Sequence, residues 1–185
     1  LIGRRVYLTF AYTVGDASGL NMINIASYKA CEYIKRAYPG RTRYYLRSNL
    51  SSDKKPSYFN IIQNYGKRVT ADAVIPAKII KKNFQTTPEQ MRDFWFSSIP
   101  ASFQGGMIGT NAHYANGLAA IFIATGQDIA QIVNASMGIG ILEITDNGDL
   151  YISATLPCLI VATVGGGTGL PYQRKCLEIM DCAGE

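Results

Sequence analysis

Residues 117–124 read GLAAIFIA, an unbroken apolar run inside the longer stretch GGMIGTNAHYANGLAAIFIATGQDIAQ of residues 105–131. A helix with no polar face is covered on all sides, so this run predicts an interior helix around which the rest of the chain packs. Its polar residues lie at the two ends. Asn111, His113 and Asn116 fall in the first turns, Gly126 ends the helix, and Asp128 opens another with Gln131 three positions on, the spacing of a capping box. Polar groups at buried helix ends need partners, because an unpaired one costs about 1–3 kcal/mol. For Asp128 the alternatives are a plain helix cap and a catalytic carboxylate. For His113 and Asn116, three apart on one face, they are a satisfied structural pair and a site.

The flanking segments supply both helices and strands. Residues 5–13 (RVYLTFAYT) alternate as a strand does, GDASG breaks the pattern, and residues 20–37 place Met22, Ile23, Ala26, Ala30, Tyr33 and Ile34 at helical spacing before Pro39 and Gly40. A second strand is expected at residues 42–47. The turn-rich SNLSSDKKP of residues 48–56 then separates two halves. Beyond it the pattern predicts a helix at 57–65, a strand at 67–74 and a helix at 77–84. Thr87 caps a further helix, with Pro88 at its first position and Gln90 at the capping-box distance, running through Trp95 and followed by a loop at 97–104. Residues 139–145 and 150–156 form a hairpin about Asp146, Asn147, Gly148 and Asp149. A buried strand at 158–164 and a helix at 171–180 complete an α+β chain. Its 185 residues, 48% of them hydrophobic, can bury one core, or a core and a smaller appendage.

The net charge of +5 is scattered in pairs such as Arg4–Arg5, Lys54–Lys55 and Lys81–Lys82, with no long basic run and no interleaved aromatics. That pattern argues against a nucleic-acid partner and suits a small anion better. Four cysteines without a CxxC pair, beside a single histidine, argue against a zinc site and fit a reducing compartment. No apolar run approaches the roughly 20 residues of a membrane span. The chain opens on Leu1 and closes on Ala183–Gly184–Glu185, which reads as part of a longer protein.

Two glycine-containing loops lie between a strand and a helix. Gly15–Asp16–Ala17–Ser18–Gly19 offers free backbone N–H groups at a helix start, as a pyrophosphate site would, yet Asp16 would also serve as a simple cap. Gly165–Gly166–Gly167–Thr168 permits close backbone approach to a ligand, or simply a tight turn. Neither has the G-x-G-x-x-G spacing of a Rossmann loop. Asp53–Lys54–Lys55–Pro56 places two cations and a carboxylate on one loop, which alone reads equally as solvated surface.

Taken together and in order, GDASGLNMI, DKKPSYFNIIQNYGK, ADAVIPAKI, GTNAHYAN, IFIATGQDIAQ, DLYISATLP and TVGGGTGLP resemble the catalytic region of the 3-hydroxy-3-methylglutaryl-CoA (HMG-CoA) reductase family, of the NADPH-dependent biosynthetic type. The resemblance covers the chain from Gly3 to Gly184. It implies that residues 1–50 are the C-terminal half of a small ferredoxin-like NADP-binding domain. Residues 51–56 would be a substrate-binding crossover loop, and residues 57–185 part of the large HMG-CoA-binding domain. The activity implied is reduction of HMG-CoA to mevalonate and free CoA with two NADPH, NADH being the alternative cofactor.

By the same resemblance Lys54 would hydrogen-bond the reacting carbonyl oxygen, Asp128 would hold that lysine, and Asn116 would support it. Asp53 and Lys55 would contact the carboxyl end of the substrate, with His113 nearby. Asp16, Ser18, Gly19, Leu20 and Asn21, with Gly165, Gly166, Gly167 and Thr168, would line the dinucleotide. Ser18 stands where the family pattern has methionine, and Met137 to Gly140 replace a more polar segment. The family's catalytic glutamate would precede residue 1 and its catalytic histidine would follow residue 185, so His113 is not that histidine and these residues alone are expected to be inactive. A homodimer or homotetramer with shared active sites is implied, without metal and without membrane contact from this segment. Its location would be the cytoplasm or the cytosolic face of a membrane. The alternatives are a non-catalytic nucleotide- or CoA-binding protein and an oxidoreductase acting on another acyl-CoA.

Overall fold

The computed structural model describes residues 6–40, 43–46, 52–110 and 113–185. Helix α1 (Leu20–Ala37) is followed by α2 (Tyr58–Ile62), strand β1 (Lys67–Ile75), α3 (Ala77–Phe84), α4 (Pro88–Gln104) and α5 (Tyr114–Thr125). A 3-10 turn (Ile129–Gln131) leads into α6 (Ile132–Ala135), then β2 (Ile139–Ile144), β3 (Leu150–Leu159), a second 3-10 turn (Gly166–Gly169) and α7 (Pro171–Ile179). Among the described residues, helices with a single antiparallel sheet make this an α+β chain.

The sheet has the order β1-β3-β2, with β3 antiparallel to both neighbours. The β2–β3 hairpin closes where Thr145 N donates to Asp149 O at 2.9 Å and Gly148 takes a left-handed φ of 78°. The same turn starts α3, because Asp149 Oδ1 accepts the Ala77 N–H at 2.9 Å. On the other side of the chain, α5 buries Leu118 and Phe122 with Ala135 of α6 against Leu156, Leu159 and Val161. A second cluster joins Met137, Cys158 and Ile160 to Ile61, Tyr65 and Ile108. These two clusters fix α2, α5 and α6 around the C-terminal half of β3.

Several expectations are corrected. The helix α5 is not enclosed: it buries Leu118, Phe122 and Thr125, while Ile121 and Ile123 are 48% and 67% exposed. The described chain packs against only one of its faces. Residues 6–13 form no strand, and neither do residues 43–46. A strand exists only when its backbone groups find a ladder partner, and each of these segments was expected to lie in the small domain's sheet. Arg5, Thr42 and Arg47, at the limits of those two strands, lie outside the described residues, as do Asn111 and Ser51.

The loop expected at 97–104 is helical, because α4 runs through Pro100 to Gln104. Ser97 and Ser98 hydroxyls both donate to Phe94 O, at 2.7 and 2.9 Å, in the turn before the proline, a form of side-chain support that lets a helix carry such an interruption. The strand expected at 158–164 is the end of β3, and regular pairing stops at Leu159.

Candidate functional site

The loop after Ser52 is held in an unusual backbone conformation. Ser52 and Lys54 have φ of 50° and 57°, the left-handed region that costs a residue with a side chain about 1–3 kcal/mol unless its surroundings impose it. Lys55 N donates to Ser52 O at 3.1 Å, closing a tight turn with Lys54 at its tip. Ser57 then caps α2 by accepting the Phe59 N–H at 3.1 Å.

Asp128 lies on the turn beyond α5, where Gly126 at φ 70° lets the chain reverse. Its Oδ1 accepts the Ala130 N–H at 3.2 Å, so it caps the 3-10 turn, and its Oδ2 lies 2.8 Å from Lys54 Nζ. The two side chains are 31% and 30% exposed. A pair that open adds only about 0–1 kcal/mol to stability, so its consequence is positional. An ammonium has three N–H donors, and with a third of its side chain open Lys54 can meet a further acceptor.

Beneath the loop lies a chain of buried polar groups. Asp53 Oδ1 accepts from Tyr65 OH at 2.7 Å and from Gln131 Nε2 at 2.8 Å. Asn134 Nδ2 donates to Gln131 Oε1 at 3.0 Å, and Asn60 Nδ2 donates to Asn134 Oδ1 at 3.0 Å. Asn60 Nδ2 also reaches Lys55 O at 2.9 Å and Ser52 O at 3.2 Å, while the Ser52 hydroxyl donates to Asn60 Oδ1. Burial and the bond to Asp53 push the Tyr65 phenol well above its usual range, which keeps it a neutral donor. The sequence reading missed Asn60, Tyr65 and Asn134, and took Gln131 only as the capping-box partner of Asp128, whereas its side chain bonds Asp53 and Asn134. The available signal was an amide in the middle of the otherwise apolar YFNII, and two more spaced three apart in the short helix after Asp128.

The two glycine loops meet. Thr163 N donates to Asp16 O at 3.1 Å, so the segment leading into Gly165 lies against the GDASG loop. The same segment is fastened to the Asp128 turn: Gln127 Oε1 accepts Ala162 N at 2.8 Å while its Nε2 donates to Ala162 O at 2.9 Å. Gly126 and Gly167 touch backbone to backbone, and a Cβ on Gly167 would lie 2.6 Å from Gly126 O. Gly165 and Gly166, with φ of 81° and 59°, have no atom within 4 Å of where a Cβ would stand. Glycine at 167 is therefore a packing requirement, whereas at 165 and 166 it leaves open backbone that a ligand can approach. Thr168 is buried, its hydroxyl donating to Gly165 O at 2.6 Å.

Gly19, left-handed at φ 69°, is the N-cap of the 18-residue α1, and no side chain caps that end. Asp16 is thus not the cap. Leu20 and Asn21 begin the helix with its first N–H groups unfilled by side chains. An uncapped helix start of this kind suits an anion. Ser18 is half-buried.

Lys54, Asp128, Asp53 and Lys55 come together, with Lys55 Nζ 3.4 Å from Asp53 O. His113 and Asn116 do not join them. His113 is the exposed N-cap of α5 without a side-chain capping bond, Asn116 is exposed in the first turn, and among the described residues no hydrogen bond links Asn116 to Lys54. Among the described residues no group of three or more His, Cys, Asp or Glu is arranged to hold a metal ion. Burial raises the Cys158 thiol, which suits a core side chain rather than a nucleophile.

The family model described as hydroxymethylglutaryl-coenzyme A reductase matches residues 1–185. A 3-hydroxy-3-methylglutaryl-coenzyme A reductase of Pyrococcus horikoshii is 48% identical over 185 residues, an alignment covering 100% of this chain and 45% of that protein. Proteins of the same name are 45% identical over 186 residues in Aeropyrum pernix, covering 100% of this chain and 44% of theirs, and 43% identical over 183 residues in Methanothermobacter thermautotrophicus, covering 98% and 46%. The chain spans about half the length of these relatives.

Proposed function

The chain belongs to the hydroxymethylglutaryl-coenzyme A reductase family, and from that premise we propose that it carries the lysine–aspartate pair of a reductase converting HMG-CoA to mevalonate and free CoA with two NADPH. The observation that carries this reading is the 2.8 Å contact between Lys54 Nζ and Asp128 Oδ2, with about a third of each side chain open to solvent.

When bound, NADPH or NADH supplies the hydride for each reduction. Lys54 donates a hydrogen bond to the substrate carbonyl oxygen, where negative charge builds as the carbonyl carbon is reduced. A fixed cation at such a position stabilises the transition state more than the ground state. Asp128 keeps the ammonium at one place without blocking it, since the carboxylate is itself anchored by Ala130 N. Lys55, on the same turn, is the cation suited to the anionic carboxyl end of the substrate. Asp53 faces the same end, and its Oδ1 is already engaged by Tyr65 and Gln131. Asp16, Ser18, Gly19, Leu20 and Asn21, with Gly165 to Thr168, would hold the dinucleotide by backbone N–H groups and the α1 terminus.

A homodimer or homotetramer with shared sites agrees with the exposed apolar side chains Ile121 and Ile123 on α5. Among the described residues no helix is long and apolar enough to cross a membrane, and this reading assigns the chain to the cytoplasm or to the cytosolic face of an anchored parent. The test is Lys54→Ala in the complete reductase that contains these residues. Turnover is expected to fall by ~10² or more, as on loss of an oxyanion donor, with the melting temperature retained. Unchanged turnover would remove Lys54 from the chemistry.

A further inference from the structure

We infer that Gln131 and Asn134 are positioning residues, which set where the Lys54 ammonium stands through a one-way chain of buried amide hydrogen bonds ending on Asp53. The inference rests on the role of Lys54 proposed above and extends it to residues that touch no substrate.

The direction of the chain follows from its end. A carboxylate only accepts hydrogen bonds, so Gln131 must turn its Nε2 toward Asp53, at 2.8 Å. Its Oε1 then faces Asn134, which must donate Nδ2, at 3.0 Å. That leaves Asn134 Oδ1 to accept from Asn60 Nδ2, also at 3.0 Å. Asn60 Nδ2 is in turn in reach of the carbonyls of Lys55 and Ser52, at 2.9 and 3.2 Å. The chain therefore closes on the loop at both ends, on the Asp53 side chain before Lys54 and on the Lys55 carbonyl after it. Lys54, at φ 57°, is the residue suspended between them.

The middle of the chain belongs to the turn that begins at Asp128. Gln131 ends the 3-10 turn that Asp128 caps, and Asn134 lies on the next turn of α6. One short segment thus fixes the carboxylate directly and the lysine loop through its amides. Gln131 and Asn134 are 0% exposed and Asn60 is 1% exposed, so water cannot substitute for a missing partner. The bonds from Asn60 through Asn134 and Gln131 to Asp53 run the same way and strengthen one another, and losing one loosens the rest.

The experiment compares Gln131→Met, close in volume but unable to donate or accept as an amide does, in the complete reductase and on a Lys54→Ala background. If Gln131 acts through Lys54, kcat falls roughly 10- to 100-fold, the range a displacement of about 1 Å produces, with KM for HMG-CoA little changed. The same substitution then costs nothing further once Lys54 is alanine. An unchanged kcat, a loss expressed only in KM, or a loss that multiplies on the Lys54→Ala background overturns the inference. Should Gln131→Met fail to fold, Tyr65→Phe decides: it removes one donor to Asp53 from a half-buried ring, and its kcat loss must likewise vanish on the Lys54→Ala background. If Lys54→Ala itself retains turnover, the catalytic reading fails. If Lys54→Ala loses turnover and Gln131→Met and Tyr65→Phe do not, the positioning chain alone fails.

Discussion

The segment from Ser52 to Tyr65, with the Asp128 to Met137 turn beneath it, and the helix α1 are both polar-rich stretches, yet they are built in opposite ways. In the first, Asn60, Gln131 and Asn134 are buried and every one has a hydrogen-bond partner within the chain. In the second, 18 residues form a helix that buries none of them and leaves Met22, Ile25, Tyr28 and Tyr33 exposed. A region that satisfies its own polar groups holds a fixed geometry by itself. A helix with an uncovered apolar stripe keeps its shape but derives little stability from the described chain.

The contrast is broken or sharpened by measuring stability on both sides. Phe122, 0% exposed between α5 and α6, is the core side. Phe122→Ala is expected to destabilise this chain by about 3–5 kcal/mol in chemical denaturation, whereas Ile25→Ala on α1 should cost no more than about 0.5 kcal/mol. An equal cost at Ile25 would mean that its face is covered by chain beyond the described residues. Of intermediate size is Gly167→Ala, whose Cβ would lie 2.6 Å from Gly126 O and 3.1 Å from Gly126 Cα. Separating those backbones should cost about 1–3 kcal/mol in the same denaturation measurement. A neutral result would show that the glycine loop and the Asp128 turn are not rigidly joined.

The same contrast explains what the sequence disclosed. Helices α1 and α3 begin and end where expected, α1 where apolar spacing and Pro39–Gly40 place it, because those signals act within one turn. The hairpin about Gly148 was legible for the same reason. Residues 6–13 alternate as a strand should, but alternation says nothing about whether a ladder partner is present. Residues 97–104 read as a loop, since the serine support that carries α4 through Pro100 depends on side-chain rotamers.

At the site, no local spacing links Lys54 with Asp128. Their common position came from a family resemblance, and the fold brings their charged atoms into contact. Asp128 posed a choice between cap and functional carboxylate; its Oδ1 caps the 3-10 turn on Ala130 N, and its Oδ2 is left to face Lys54. The contacts of Gln131 and Asn134 were not legible, because two amides three apart in the mostly apolar IAQIVNA acquire partners only when the Asp53 loop is laid over them.

That division of Asp128 supplies the most direct measurement. Asparagine caps a helix as well as aspartate does, so Asp128→Asn keeps the bond to Ala130 N and removes only the charge facing Lys54. In the complete reductase, turnover is predicted to fall by about 10² or more while the melting temperature stays with the unsubstituted protein. Full turnover in Asp128→Asn would reduce Asp128 to a helix cap and contradict the account.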